Sequence, residues 1–263
     1  MPQEESVYTL LHNRNRRERI LLLARIDFHK RYYESRLGVL WAFLNPLFRL
    51  LVYYLVFTTI FKNDIENYAL YLFSGLLIWI SFQEATKKGI STMASKRYLI
   101  ENISFDKIDL FISGTLTILN GLLFNFLMYM LMSIITGIPI TWHILWVIPV
   151  VLILAILMFG ISLILSTIHI YFRDIEHLWD MVLLLWFWIN PIFYAKAILF
   201  ESLPVLIWIN PLAGIIINMR QGLLYGEPPD FLLLGWTFLY ALVILAVGML
   251  VFRKYSHKIL EKV

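Results

Sequence analysis

The chain has 263 residues, 60% of them hydrophobic and only 15% charged, with a mean hydropathy of +0.75. A soluble domain carries about 25% charged residues, and one of this size could not hide so much apolar surface, so a water-soluble globular enzyme is excluded. Gly 12 and Pro 9 are ordinary counts that exclude a collagen-like or disordered chain, and the excess of Lys and Arg behind the +4 net charge reads as membrane topology rather than nucleic-acid binding.

In chain order, Met1–Arg36 is polar, without the long apolar core of a cleavable signal peptide. Within it Leu22, Ile26 and Tyr33 fall on one helical face, Leu21, Phe28 and Tyr32 lie beside them, and Arg25, Lys30 and Arg31 intersperse. This predicts an amphipathic basic helix in the cytoplasmic headgroup layer, acting as an anchor or a gate. Span one is predicted over Leu37–Phe61, followed by a short loop, Lys62–Asn67, and span two over Tyr68–Gln83. A polar stretch, Glu84–Asp109, leads to a run without Asp, Glu, Lys or Arg from Leu110 through Phe172. At about 1.5 Å per residue that run is some three bilayer cores long and must fold back. Gly137, Pro139 and the polar Thr141–Trp142–His143 split it into span three, Leu110–Thr136, and span four, Ile144–Ile170. A charged turn, Arg173–Asp174–Ile175–Glu176, precedes span five, Trp179–Ala197. The last span is Phe231–Phe252, followed by Arg253 and Lys254. No run shows the alternation of a membrane β-barrel.

Ser202–Met219 is apolar but interrupted by Pro204, Asn210–Pro211 and Gly214. The Lys/Arg-rich ends should both stay cytoplasmic, which requires an even number of spans. The interrupted stretch, about residues 199–230, is therefore read as a re-entrant hairpin on the outer side, where broken backbone must be buried in protein or face water. On this topology 18 of the 22 Lys and Arg are cytoplasmic, Lys62, Lys196 and Arg220 are outside, and Arg49 lies within span one. The expected fold is an all-α integral membrane protein: a cytoplasmic N-terminus with an interface helix (1–36), a six-span transmembrane domain (37–252) and a cytoplasmic C-terminus (253–263).

The residues for several chemistries are missing. There is no cysteine, and the dipeptide Gly-Lys does not occur, so these residues contain no P-loop. Neither G-x-S-x-G nor H-E-x-x-H occurs, and His169 and His177 have a poor spacing for a metal. The spans lack the Asp/Glu/His chain of a proton-coupled transporter. No catalytic residue and no metal or cofactor site is assigned, and energy for transport would have to come from another subunit.

Four stretches carry a resemblance: Arg31-Tyr-Tyr-Glu-Ser-Arg-Leu-Gly-Val-Leu-Trp-Ala-Phe-Leu-Asn-Pro46, Tyr171-Phe-Arg-Asp-Ile-Glu-His-Leu178, Ile189-Asn-Pro-Ile-Phe-Tyr194 and Ile209-Asn-Pro-Leu-Ala-Gly-Ile-Ile-Ile-Asn-Met-Arg220. In order and spacing the chain resembles the membrane subunit of type-2 ABC exporters for bacterial polysaccharides, the O-antigen, capsule and teichoic-acid permeases. One departure is Ile103-Ser-Phe-Asp-Lys107, with Asp106 where those permeases usually have Pro after Phe. The resemblance implies a homodimer in the bacterial cytoplasmic membrane, paired with two copies of a separate ATPase that binds ATP and Mg. It also implies export of lipid-linked polysaccharide, O-antigen foremost, along a channel lined chiefly by spans one and five, with cytoplasmic loops receiving the ATPase's motion.

On that reading, Phe43, Tyr54, Phe57 and Phe61 of span one fall within about 60° of one another on a 3.6-residue helix, as do Trp179, Trp186, Asn190 and Phe193 of span five. Such stripes offer rings to the C–H faces of sugars, or simply pack helices. Arg49, charged at depth, is expected to meet the pyrophosphate of the lipid carrier, or else to snorkel or pair with an acid such as Glu84. Asn45–Pro46 and Asn190–Pro191 would kink spans one and five. Lys96, Arg97, Tyr98 and Leu99, with Arg173, Asp174 and Glu176, would contact the ATPase, whereas Lys87 and Lys88 read as charges that end a helix at the surface. The competing readings are an ABC exporter of drugs or small lipids, and a multi-pass glycosyl or lipid-phosphate transferase.

Overall fold

The computed structural model describes residues 15–32, 38, 40–62, 65–102, 105–195 and 204–255. Tyr33, Leu37, Lys196, Ser202 and both chain ends lie outside the described residues. Helix α1 is Arg16–Tyr32. Helix α2, Leu40–Leu55, continues into a wider π turn, Val56–Ile60. Then follow α3 (Tyr68–Ser95), α4 (Arg97–Asn102) and α5 (Ile108–Thr136). After a 3-10 turn, Trp142–Trp146, come α6 (Val147–Tyr171) and α7 (Ile175–Ile189). Two short helices, α8 (Pro204–Ile209) and α9 (Pro211–Arg220), precede a second π turn, Gln221–Tyr225, and α10 (Phe231–Tyr255).

The described residues are helical, with no strand among them. Four stretches are long and apolar enough to cross a membrane: Leu40–Ile60, Ile108–Thr136, Trp142–Tyr171 and Phe231–Tyr255. Their 21 to 30 residues would measure about 31–45 Å at 1.5 Å per residue, enough for a hydrocarbon core of about 30 Å. The central element is α3. From Leu70 to Trp79 every residue is buried, as expected of a helix that is apolar all round. It packs on α5 and α6, and α10 packs on α6.

The crossing of α10 on α6 rests on two glycines. A Cβ on Gly248 of α10 would lie 2.6 Å from the carbonyl oxygen of Gly160 on α6, and a Cβ on Gly160 would lie 2.9 Å from the Leu245 backbone. Backbones this near exclude any side chain, the small-residue contact common between membrane helices. Gly248→Leu is expected to lower the yield of monodisperse protein in detergent several-fold, while Val247→Leu on the exposed face leaves it unchanged. Size-exclusion chromatography of the two variants checks this.

Two predicted boundaries are corrected. The polar stretch expected from Glu84 is not a loop: α3 runs on to Ser95. Nothing there breaks a helix, and its polarity is one-sided. Ala85, Thr86, Gly89, Ile90, Thr92 and Met93 stay buried while Lys87 is exposed and Glu84 and Lys88 are half-buried. Span five, expected to reach Ala197 with a kink, instead ends at Ile189. Asn190 adopts φ −73°, ψ 144°, the extended conformation that the following proline favours. Pro46, by contrast, does sit inside α2.

Helix α1 lies against the end of the bundle where α3 finishes and α5 begins. Leu23 and Ala24 are buried, Thr117 Oγ1 donates to Ala24 O at 3.2 Å, and Arg16 Nε donates to the buried Asp109 at 2.9 Å. The Asp109 carboxylate pushes the Arg16 guanidinium above its usual range. Asp27 accepts from Lys96 Nζ at 2.7 Å, just past the end of α3.

Candidate functional site

Between α1, α2, α3 and α5 the chain encloses a cavity of about 590 Å³. Four cations, Arg31, Arg49, Lys87 and Lys88, line it with a single acid, Glu84. Trp41, Asn45, Pro46, Gln83 and Asn125 complete its polar and apolar walls. Three of the cations are drawn to carboxylates: Arg31 to Glu84, Lys87 to Asp180 at 2.7 Å and Lys88 to Asp27 at 3.6 Å. Arg49 instead makes a long contact, 3.4 Å, to the neutral amide of Gln83. The expected alternative of an Arg49–Glu84 pair is thereby corrected, since Arg31 occupies that carboxylate. Asn125 is 6% exposed, and its Oδ1 accepts no hydrogen bond from the described residues. Chemically, this is a half-open basic chamber with an arginine and an amide oxygen left over for a guest.

Arg49 also borders a second, smaller space of about 150 Å³ lined by Tyr53, Trp79 and Phe187. Rings continue from there. Tyr53 meets Phe187 at 5.5 Å and Phe193 at 5.1 Å, Trp79 meets Phe187 at 5.3 Å, and Phe57 stacks on Phe193 at 4.5 Å. The basic chamber and this aromatic crevice between α2, α3 and α7 thus share Arg49 and Gln83 in their walls.

The predicted stripes fare differently. Phe43 packs edge-on against Phe124 of α5, and Phe57 packs on Phe193. Tyr54 and Phe61 are exposed, at 37% and 65%. Phe61 stacks on Phe57 at 5.0 Å, so these two stay together, whereas Phe43 faces α5 and Tyr54 meets Tyr68 of α3 at 6.3 Å. The span-five stripe faces the interior. Trp179 Nε1 donates to Thr86 Oγ1 at 3.0 Å and Trp186 Nε1 to Asn210 Oδ1 at 2.9 Å. Asn190 and Phe193 are almost wholly buried beyond the end of α7, which corrects their expected place on an open channel wall of this subunit. The outward face of α7 carries Met181, Leu184, Leu185 and Trp188 instead.

Of the residues expected to meet an ATPase, Arg173, Asp174, Glu176 and Tyr98 are exposed. Arg97 is exposed and pairs with Glu101 at 2.6 Å. Leu99 packs against the cluster of Leu23, Met93, Ile108 and Phe111. Lys96 is corrected: its side chain is only 14% exposed and directed at Asp27, so it joins α3 to α1 rather than offering a surface charge. Burial draws its ammonium below the usual lysine range, opposed by the Asp27 carboxylate.

The model of one family, described as ABC-2 type transporter, matches residues 18–224. The chain belongs to the ABC-2 type transporter family. Among individual members it is similar to an O-antigen export system permease protein, RfbA, of Klebsiella pneumoniae, at 27% identity over 92% of this chain and 93% of that protein. The protein of the same name from Myxococcus xanthus is 29% identical over 80% of this chain and 82% of its own length. The polysialic acid transport protein KpsM of Escherichia coli is 24% identical over 86% and 89%. The matched region of the ABC-2 model contains both the basic chamber and the ring-lined crevice.

Sequence reasoning passed over several members of this ABC-2 site. Lys87 and Lys88 were expected merely to end a helix, and they line the chamber because α3 carries them past Gln83. Tyr53 and Trp79 gave no signal beyond aromaticity, since their roles depend on α2, α3 and α7 meeting. Arg220, expected as an outer topology charge, is 3% exposed. Its position two residues after Asn218 in an otherwise uncharged helix was the available clue.

Proposed function

We propose that this chain is the membrane-spanning subunit of an ATP-driven exporter of lipid-linked polysaccharide, O-antigen in the first instance, in the bacterial cytoplasmic membrane. The observation that carries the reading is the cation-lined chamber that shares Arg49 with a neighbouring crevice of aromatic rings. A polyprenyl diphosphate sugar has the matching parts: an anionic diphosphate for Arg49 and its neighbours, and sugar C–H faces for the rings. The names of the similar permeases, two for O-antigen and one for polysialic acid, support a polysaccharide cargo.

The proposed topology has six spans with both termini cytoplasmic, α8 and α9 forming the outer re-entrant hairpin, and domain bounds at 1–36, 37–252 and 253–263. The helices α3 and α7 would complete the count begun by the four long apolar stretches. Two copies would face each other along α2 and α7, whose apolar side chains Phe48, Leu51, Val52, Leu184 and Leu185 are exposed in the single chain. Two copies of a separate P-loop ATPase, holding ATP and Mg, would dock on α4 and on the turn Arg173–Glu176.

The test is reconstitution. The chain, co-purified with its ATPase, is placed in vesicles loaded with a polyprenyl-diphosphate glycan. ATP-dependent passage of the glycan across the bilayer is the expected result. A complex that hydrolyses ATP yet moves only drugs or short-chain lipids would overturn the polysaccharide reading.

A further inference from the structure

After α7 ends, the four consecutive carbonyls from Pro191 to Tyr194 lie outside any helix and need partners from elsewhere. Each is taken by a side chain from another element. Arg220 Nη1 donates to Pro191 O, and Arg220 Nη2 donates to Ile192 O at 2.9 Å. Tyr68 Oη donates to Phe193 O at 3.1 Å and Tyr71 Oη to Tyr194 O at 2.6 Å. The remaining nitrogen, Arg220 Nε, faces Tyr71 O at 3.2 Å and Ser74 Oγ at 3.3 Å, and the guanidinium lies 3.5 Å from the centre of the Tyr71 ring.

Two further facts mark this clasp as built. Arg220 is 3% exposed and takes part in no ion pair among the described residues, so carbonyl dipoles and a ring hold its charge. Gly75 leaves it room: a Cβ there would stand 2.9 Å from Arg220 Nη2 and 3.4 Å from Ile192 Cα. A buried cation is costly unless its donors are matched, and here all of its partners lie outside its own helix. Withdrawal of one side chain would free two carbonyls at once, and no carboxylate would be stranded. The clasp also sits in the first two turns of α3, a helix of 28 residues and about 40 Å whose other end meets α1. From the held segment, Phe193 reaches onto Phe57, and onto Tyr53 and Phe187, two of the rings that line the crevice.

We propose that residues 190–195 are a releasable plug across the outer end of the aromatic crevice, and that Arg220, with Tyr68 and Tyr71, positions it shut. This rests on the transport reading, but not on which cargo is moved. Arg220 is a positioning residue: it touches the plug's backbone and not the cargo.

The chain has no cysteine, so Ile192→Cys, at a fully buried site, serves as a lone reporter in the vesicle-embedded complex with its ATPase. A membrane-impermeant maleimide is expected to label it at least tenfold faster during ATP turnover than at rest. Tyr68→Phe with Tyr71→Phe keeps both rings but removes two of the plug's hydrogen bonds. That double variant is expected to label at rest as fast as the parent does in turnover, and to leak a small dye without ATP. Arg220→Lys, which keeps charge but not the fork, should fall between. A merely structural clasp would lower thermal stability without moving resting accessibility. Equal protection at rest and in turnover, or unchanged resting protection in an assembled Phe variant, would overturn the plug. ATP-gated labelling without glycan export would retain the plug and count against the polysaccharide cargo instead.

Discussion

Arg49→Glu is expected to reduce ATP-driven glycan export by about 100-fold or more, because the charge-assisted contacts it removes are worth roughly 1.5–3 kcal/mol each and the new carboxylate repels a diphosphate. Little stability is at stake. Arg49 is exposed on the chamber wall, and its hydrogen bond to Gln83 is long at 3.4 Å. The assembled complex should therefore be recovered in normal amount, and its ATP hydrolysis without glycan should be preserved. Arg49→Lys should lose about tenfold, since lysine keeps the charge but not the planar two-pronged donor. Arg31 is the poorer probe, because its removal also unpairs Glu84 and confuses substrate loss with a stranded acid. Wild-type export by the Glu variant would dismiss the chamber as the diphosphate site, whatever the cargo.

Asn210→Leu carries the largest expected cost to the fold. The side chain of Asn210 caps α9 by accepting from Leu212 N at 3.1 Å, accepts from Trp186 Nε1 at 2.9 Å, and donates to Asn190 Oδ1 at 3.0 Å. Both groups facing Oδ1 are donors only, so the orientation of the amide is determined by chemistry. Leucine would leave two buried N–H groups and one amide oxygen unmatched, at about 1–3 kcal/mol each, so the summed loss is expected at about 3 kcal/mol or more. Asn210→Ser keeps a side-chain acceptor for Leu212 N but is too short to reach Trp186 and Asn190, which places it between the two. Thermal unfolding in detergent should rank the proteins in that order. A leucine variant within about 1 kcal/mol of wild type would show that solvent replaces the network.

This network explains why part of the site was legible and part was not. Asn190–Pro191 and Asn210–Pro211 are plain in the sequence as two interruptions of apolar runs, and each was readable as a local break. That the two asparagines are hydrogen-bonded to each other is a property of two segments 20 residues apart. Likewise Pro46 and Pro191 look alike locally. One is accommodated within α2, whereas at the other the chain leaves the helix and its carbonyls are taken by Arg220, Tyr68 and Tyr71.

By itself the sequence determined that this chain is helical and membrane-embedded, where most of its helices lie, and that its 263 residues contain no P-loop. Those properties follow from local composition, because the cost of placing charge or unpaired backbone in hydrocarbon is set residue by residue. The tertiary structure decided which charges are spent and which are left for a guest. Lys96 and Arg220 are consumed inside the chain, while Arg49 stands at the junction of the basic chamber and the aromatic crevice. A charge's availability depends on the neighbour that folding brings to it, and Asp27, Glu84 and the carbonyls of Pro191 and Ile192 all come from distant parts of the chain.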